Sequence, residues 1–278
     1  MTFLYSVNGV PLTDPAGRWW VTAEGSAHSA AVTMRSRSAT VPGMNGIPDA
    51  GRETREPSTL PLRVMTRSTI PANREAYWEA IKALFTLTDT FTLGRQVETV
   101  ARTSVAKLRS ISEPDFSPSA GILVGVVTVV VLDGLFHGPV LDFPTTPFNA
   151  NFTAIALAGL GGTAAIEDAQ IRVLGPAAAV SFTDAASGTG VAWAGPLAVG
   201  QYLFLNGVEA RRSSNAADWL SGGVDVSGGV TTPPAGLLAL TPKVNPADIL
   251  SRSVSWSATR AGTTAATQLL LKASSAHA

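Results

Sequence analysis

The stretch GILVGVVTVVVLDGLF, residues 121–136, is the longest apolar run in the chain, and its reading decides between a membrane span and a buried strand. A spanning helix needs about 20 consecutive apolar residues, whereas here Asp133 interrupts the run after residues 121–132. Its valines are β-branched, which restricts them in a helix and suits them to a pleated surface. Glycines bound the segment at both ends, as they do for a short, fully buried strand. We therefore expect a strand here and no membrane insertion. The opening residues 1–9 have no basic segment followed by an apolar one, so a secretory signal is not expected either.

Working outward, LPLRVMTRS at 60–68 alternates apolar and polar residues and reads as a half-buried strand. Between the two strands lies PANREAYWEAIKALFTLTD, residues 71–89. Its Tyr77, Ile81, Leu84 and Phe85 fall at i, i+4, i+7 and i+8, one face of a helix over about 73–87. Asn73 is the expected N-cap, with Glu75 and Glu79 near the positive end of the dipole. Residues 3–39 break into short alternating pieces, WWVTAEG and AAVTMRSRS among them, separated by turn residues.

The composition changes after FHGPVLDFPTTPFN, residues 136–149. Residues 1–140 hold 13 basic and 12 acidic side chains, residues 141–278 only 7 and 8, and this step places a domain boundary there with a Pro-rich linker at about 139–148. The second part repeats short alternating runs, AQIRVLG, AAVSFTDA, QYLFLNG, LLALTP, SVSWSATR and TQLLLKA, punctuated by Gly and Pro. Such spacing indicates an antiparallel β-sandwich. The fold class expected is thus mainly β: an N-terminal β-sandwich-like domain, 1–140, with one packed helix, then a C-terminal antiparallel sandwich, 141–278.

Chemistry leaves few marks. The chain of 278 residues has zero net formal charge and no cysteine, which removes disulfides, thiolate metal sites and cysteine nucleophiles. Its 16 Arg and 4 Lys are dispersed, where a phosphate-neutralising face needs them clustered, so no nucleic-acid partner is expected. His28, His137 and His277 stand apart without metal-ligand spacing, and His137 reads as a structural residue at a strand end. The glycines of ALAGLGGTAA, 156–165, lack the spacing of a phosphate cradle and read as turns or bulges. No Gly-x-Ser-x-Gly occurs. Asp49, Glu53 and Glu56 are carboxylates in a loop that reads as solvated, so no acid–base pair is expected of them. No catalytic residue, cofactor or metal is expected. A sugar-stacking role is open to Trp193, Tyr202 and Trp219 of the second domain, and the adjacent Trp19 and Trp20 must point to opposite faces of their strand.

The order of elements carries more than any motif. VNGVPL, a VPGMNG hairpin with a charged returning arm, LPLRVMTRS, NREAYWEAIKALF, VAKLRSISEPDF and a long strand ending in LFHGP resemble, over residues 3–140, the N-terminal domain of distal tail proteins of long, flexible-tailed bacteriophages. PLAVGQYLFLNGVEARRSS and LLALTPKVNPADILSRSVSWSATRAGTTAATQLLLKAS are similar to the strands of the galectin-like sandwich that many members append. The resemblance implies a non-enzymatic structural component at the distal end of the virion tail, assembled in the host cytoplasm. Its N-terminal domains would form a ring, hexameric in the family, joining tail-tube protein to tail-tip or tape-measure proteins. The alternative is a carbohydrate- or receptor-binding tail component with a host glycan as partner. Within TVPGMNGIPDAGRETR, 40–55, and the following Glu56, contacts between subunits are expected from Val41, Pro42, Gly43, Met44, Asn45 and Gly46 of the turn, and from Arg52, Glu53, Arg55 and Glu56 of the returning arm, whose alternating charges would fix register.

Overall fold

A computed structural model describes residues 3–24, 26–27, 34–35, 54–97, 99–117, 121–145 and 147–277. The chain divides into two compact units, Met1–Gly138 and Pro139–His277. Both are mainly β, and among the described residues the single α-helix belongs to the first. That helix, of 16 residues, is not long and apolar enough to cross a membrane.

The first unit holds β1 (Phe3–Val7), β2 (Val10–Pro11), β3 (Trp19–Val21), β4 (Met34–Arg35), β5 (Thr54–Arg55), β6 (Ser58–Arg67), α1 (Pro71–Thr86), β7 (Phe91–Val97), β8 (Val100–Ile111), β9 (Asp115–Ser117) and β10 (Ile122–Val131). Its main sheet is antiparallel, in the order β2-β1-β7-β8-β10-β6-β3, with β9 also on β10. The 121–136 stretch thus becomes β10, paired on both edges, from Val131 opposite Ser58 to Ile122 opposite Arg67. Asn8 and Gly9 sit at φ 49° and 83° between the paired Val7 and Val10. Two successive positive φ angles are what a two-residue hairpin requires, and Asn-Gly meets that demand at least steric cost.

Alternation sets which face is covered. Leu60, Leu62 and Val64 of β6 and Val127, Val129 and Val131 of β10 are buried, and Trp78, Ile81 and Phe85 of α1 pack in the same cluster. Gly125 makes this possible, because a Cβ there would stand 2.7 Å from Trp78 Cζ2 and closer still to Cη2. The helix differs from the sequence expectation in two ways. It begins at Pro71, with Ile70 as N-cap and no side-chain cap, so Asn73 lies inside the first turn and no acidic residue does. Proline is favoured at this position because its fixed φ suits a helix and its missing N–H would be unpaired there anyway. The buried stripe is Arg74, Trp78, Ile81 and Phe85, leaving Tyr77 and Leu84 half-buried at its border. The larger indole takes the centre of the face.

The segment FHGPVLDFPT becomes β11 (Phe136–Thr145), so most of the stretch read as a Pro-rich linker is strand. His137 pairs with Thr103 of β8 within the first unit. Pro139 and Pro144 lack N–H donors, which a strand tolerates where no ladder bond is needed.

The second unit continues with β12 (Phe152–Leu157), β13 (Gln170–Leu174), β14 (Ala177–Asp184), β15 (Gly190–Leu197), β16 (Tyr202–Asn206), β17 (Glu209–Ser213), β18 (Val224–Asp225), β19 (Val230–Thr231), β20 (Lys243–Asn245), β21 (Asp248–Ala261) and β22 (Gln268–His277). They form two antiparallel sheets, β18-β17-β16-β13-β22 and β12-β21-β14-β15-β19, with β20 on β21. Ile171, Val173, Leu203, Leu205, Leu269 and Leu271 are the buried alternates of the first, and Val180, Phe182, Trp193, Val254 and Trp256 those of the second. Phe148, Phe152, Trp256 and Phe182 form a closed circuit of aromatic contacts, with Phe182 and Trp256 stacked 5.6 Å apart. LLALTP, expected as a strand, forms only isolated bridges at Leu237 and Leu240.

Candidate functional site

The returning arm starts from a paired base. Met34 lies opposite Arg55 and Arg35 opposite Thr54, so β4 and β5 bring the two ends of segment 36–53 together. Val41, Pro42, Gly43, Met44, Asn45, Gly46, Arg52 and Glu53 lie outside the described residues, as does most of AAVTMRSRS. Arg55 is placed as part of β5, and Glu56 is half-buried just before β6.

The β3 edge of the main sheet is fixed by charge and aromatic packing. Arg18 donates to Asp14 from Nε at 2.7 Å, from Nη2 at 3.0 Å and from its backbone N–H at 3.1 Å. These bonds hold the Asp14 carboxyl down to about 2, against the smaller opposing effect of burial. The same guanidinium lies 4.7 Å from the Trp19 ring centre, and Trp19 meets Tyr77 of α1 at 6.1 Å. Trp19 therefore turns toward the helix, while Trp20, opposite Met65, is half-buried on the other face.

Asp133, His137 and Ser104 are residue types associated with hydrolysis, and they meet at the end of β10. His137 Nε2 lies 2.7 Å from Asp133 Oδ2, while Ser104 Oγ donates to Oδ1 at 3.2 Å and the Leu135 N–H at 3.0 Å. Burial alone would raise the Asp133 pKa, but these bonds together bring it below the ordinary carboxylate value. Activation of a serine requires its proton to lie on the histidine. Here serine and histidine both address the carboxylate, an arrangement that ties β8, β10 and β11 together. Among the described residues no group of three or more His, Cys, Asp or Glu is placed to hold a metal ion.

In the second unit the three sugar-stacking candidates separate. Trp193 is 2% exposed and its indole N–H donates to Val226 O at 3.2 Å, so its ring belongs to the core and is out of a sugar's reach. Tyr202 and Trp219 come together with Phe204 between them, at 6.2 and 5.4 Å. Phe204 sits on the outer side of its sheet, opposite Arg172, and is nevertheless fully buried. Trp219, held at φ 43°, covers it. Two cations close the cluster: Arg172 lies 5.6 Å from the Tyr202 ring centre and 5.5 Å from that of Trp219, and Lys272 Nζ is 4.6 Å from the latter. Arg172 also donates to Ala216 O at 3.0 Å, and Asn215 Nδ2 to Asp218 Oδ1 at 2.7 Å, which fixes the loop carrying Trp219.

No protein-family model matches the sequence, and no curated protein matches it. Solved structures do. The chain matches the crystal structure of the SPP1 Dit protein, described as a paradigm of the hub adsorption apparatus in phages that infect Gram-positive bacteria, with TM-score 0.62 and 14% identity over 99% of both chains. The chain has the overall fold of SPP1 Dit. It is also similar to chains of the phage P2 baseplate in its activated conformation with Ca and with Sr, each at TM-score 0.42 and 11% identity over 99% of this chain and 98% of that one.

Arg172 and Lys272 were not among the residues singled out by sequence. The signal is present in QIRVL and LLLKA, where one cation interrupts an otherwise apolar strand at an outward position. A lone basic residue on a strand is so common, however, that its aromatic partners become visible only in three dimensions.

Proposed function

We propose that the protein is a structural, non-enzymatic component of a phage tail tip. In this reading its N-terminal units form a ring, hexameric by analogy, that joins the tail tube to the adsorption apparatus. The C-terminal unit is a galectin-like sandwich carried by that ring. The observation that carries the reading is the correspondence with SPP1 Dit over 99% of both chains, which includes the second unit as well as the first. The turn and arm, from Val41 to Glu56, supply contacts between subunits, with tail-tube and tail-tip or tape-measure proteins as the further partners. A ring needs a heterologous contact, one patch meeting a different one on the neighbour, and an arm with mixed charges is a device for fixing its register. Electron microscopy of the purified protein, alone and with tail-tube protein, tests this: closed rings of six copies are expected, and a persistent monomer under both conditions overturns it.

A second reading, glycan binding by the C-terminal unit, is favoured by the half-buried Trp219 and Tyr202 beside two cations. Trp219→Ala should abolish binding to a host-wall glycan array while leaving the unit folded. Unchanged binding removes Trp219 from that role.

A further inference from the structure

Residues 243–251 form the end of the β20–β21 hairpin, and every one of them is exposed. Ile249 is 70% and Leu250 84% exposed, with Val244 at 44% beside them. Adjacent strand residues point to opposite faces, so Ile249 and Leu250 make the tip apolar on both sides. Large apolar side chains left this exposed together at one tip are what a partner surface would cover.

A complementary surface lies at the opposite end of the same strand. Beyond Ala261, the last residue of β21, Gly262 joins Pro176, Pro196, Leu197 and Ala198 around an open, mainly apolar groove of about 360 Å³. Arg212 stands at its edge, donating to Pro196 O at 3.0 Å, and has no carboxylate partner among the described residues. At the hairpin tip Asp248 is also without a cationic partner among the described residues and accepts only the nearby Leu250 N–H, at 3.1 Å. A strand of 14 residues spans roughly 40 Å, so hairpin and groove of one chain cannot meet. They are matched in apolar character and in charge, and they lie at opposite ends of one strand.

We propose that the C-terminal units of neighbouring copies associate head to tail, the hairpin of one placing Ile249 and Leu250 in the groove of the next with Asp248 against Arg212. Two different patches meeting in this way form a heterologous contact, which closes into a ring or runs on as a filament according to the rotation per copy. The inference goes beyond the reading above, which assigns the ring to the N-terminal unit, and stands separately from it.

The chain's lack of cysteine allows a clean test in the full-length protein. Leu250→Cys combined with Ala198→Cys should give, on mild oxidation, a ladder of covalently linked copies that reductant collapses to one band. Leu250→Cys with Val208→Cys, an equally accessible position on the β16–β17 turn, should not. Equal or absent cross-linking in the two proteins overturns the proposal. Asp248→Arg and Arg212→Glu should each weaken self-association in the ultracentrifuge up to about fivefold, and the double exchange should restore it. Single exchanges without effect overturn the pairing. Rings that assemble without the 250–198 cross-link would remove this contact and leave the ring reading standing.

Discussion

Asp14 shows how one side chain ties an edge to a core. Its carboxyl is held at about 2, below the ordinary 3.8 of a free aspartate, by the Arg18 bonds. A folded-state value below the unfolded one means that its contribution is fully present above pH 3.8 and is lost as pH falls toward 2. Asp14→Asn removes that contribution at every pH, so urea midpoints of the two proteins should differ at neutral pH and converge near pH 2. Parallel curves throughout would show that the pair contributes nothing. Gly125 offers a steric counterpart. Its added Cβ would meet the Trp78 ring inside a close-packed cluster, where overpacking typically costs 1–3 kcal/mol; we expect Gly125→Ala to destabilise the protein by about 2 kcal/mol in denaturant titration.

The helix carries a correctable weakness. Ile70 occupies its N-cap with φ −95° and ψ 118°, is 55% exposed and offers no side-chain acceptor to the first-turn N–H groups. Ile70→Asp supplies one, and also places negative charge at the positive end of the dipole, so it should stabilise by about 1 kcal/mol. A lower thermal midpoint than the parent would contradict this. The same helix shows where sequence reading succeeds and where it stops. Period finds α1 and β6, because each has a long buried face whose apolar spacing matches its geometry, and β10 is found instead by its unbroken, valine-rich run between glycines. It misplaces the helix face by one residue because Tyr77 and Trp78 are both aromatic, and only the gap at Gly125 decides which of them enters. Residues 139–148 are taken for a linker because their prolines outweigh the alternation, while β11 carries the strand on to Thr145. LLALTP has strand composition but meets Ile166 and Gly190 only by single bridges. Phe204 is legible as apolar, yet the Trp219 loop and the two cations around it depend on tertiary placement, as does the separation of Trp193 into the core.

Assembly is the property on which the functional reading rests, and the arm is where that reading puts the contact between subunits. β4 and β5 close segment 36–53 at its base through the Arg35–Thr54 and Met34–Arg55 pairs. Deleting residues 42–51 leaves residues 36–41 and 52–53, eight in all, between Arg35 and Thr54. That is ample to rejoin two antiparallel strands, and shortening a closed loop lowers its closure entropy. Described residues of β1, β6, β7, β8, β10 and α1 already form a buried hydrophobic cluster among themselves. The deletion protein should therefore keep the parental circular dichroism spectrum and, within about 1 kcal/mol, its stability. If the turn from Val41 to Gly46 and its charged return lie between subunits, the same protein will sediment as a smaller species and form no rings beside tail-tube protein. Wild-type assembly after the deletion would place the subunit contact on the sheet of the first unit or on the C-terminal hairpin, and would reduce the arm to a surface loop.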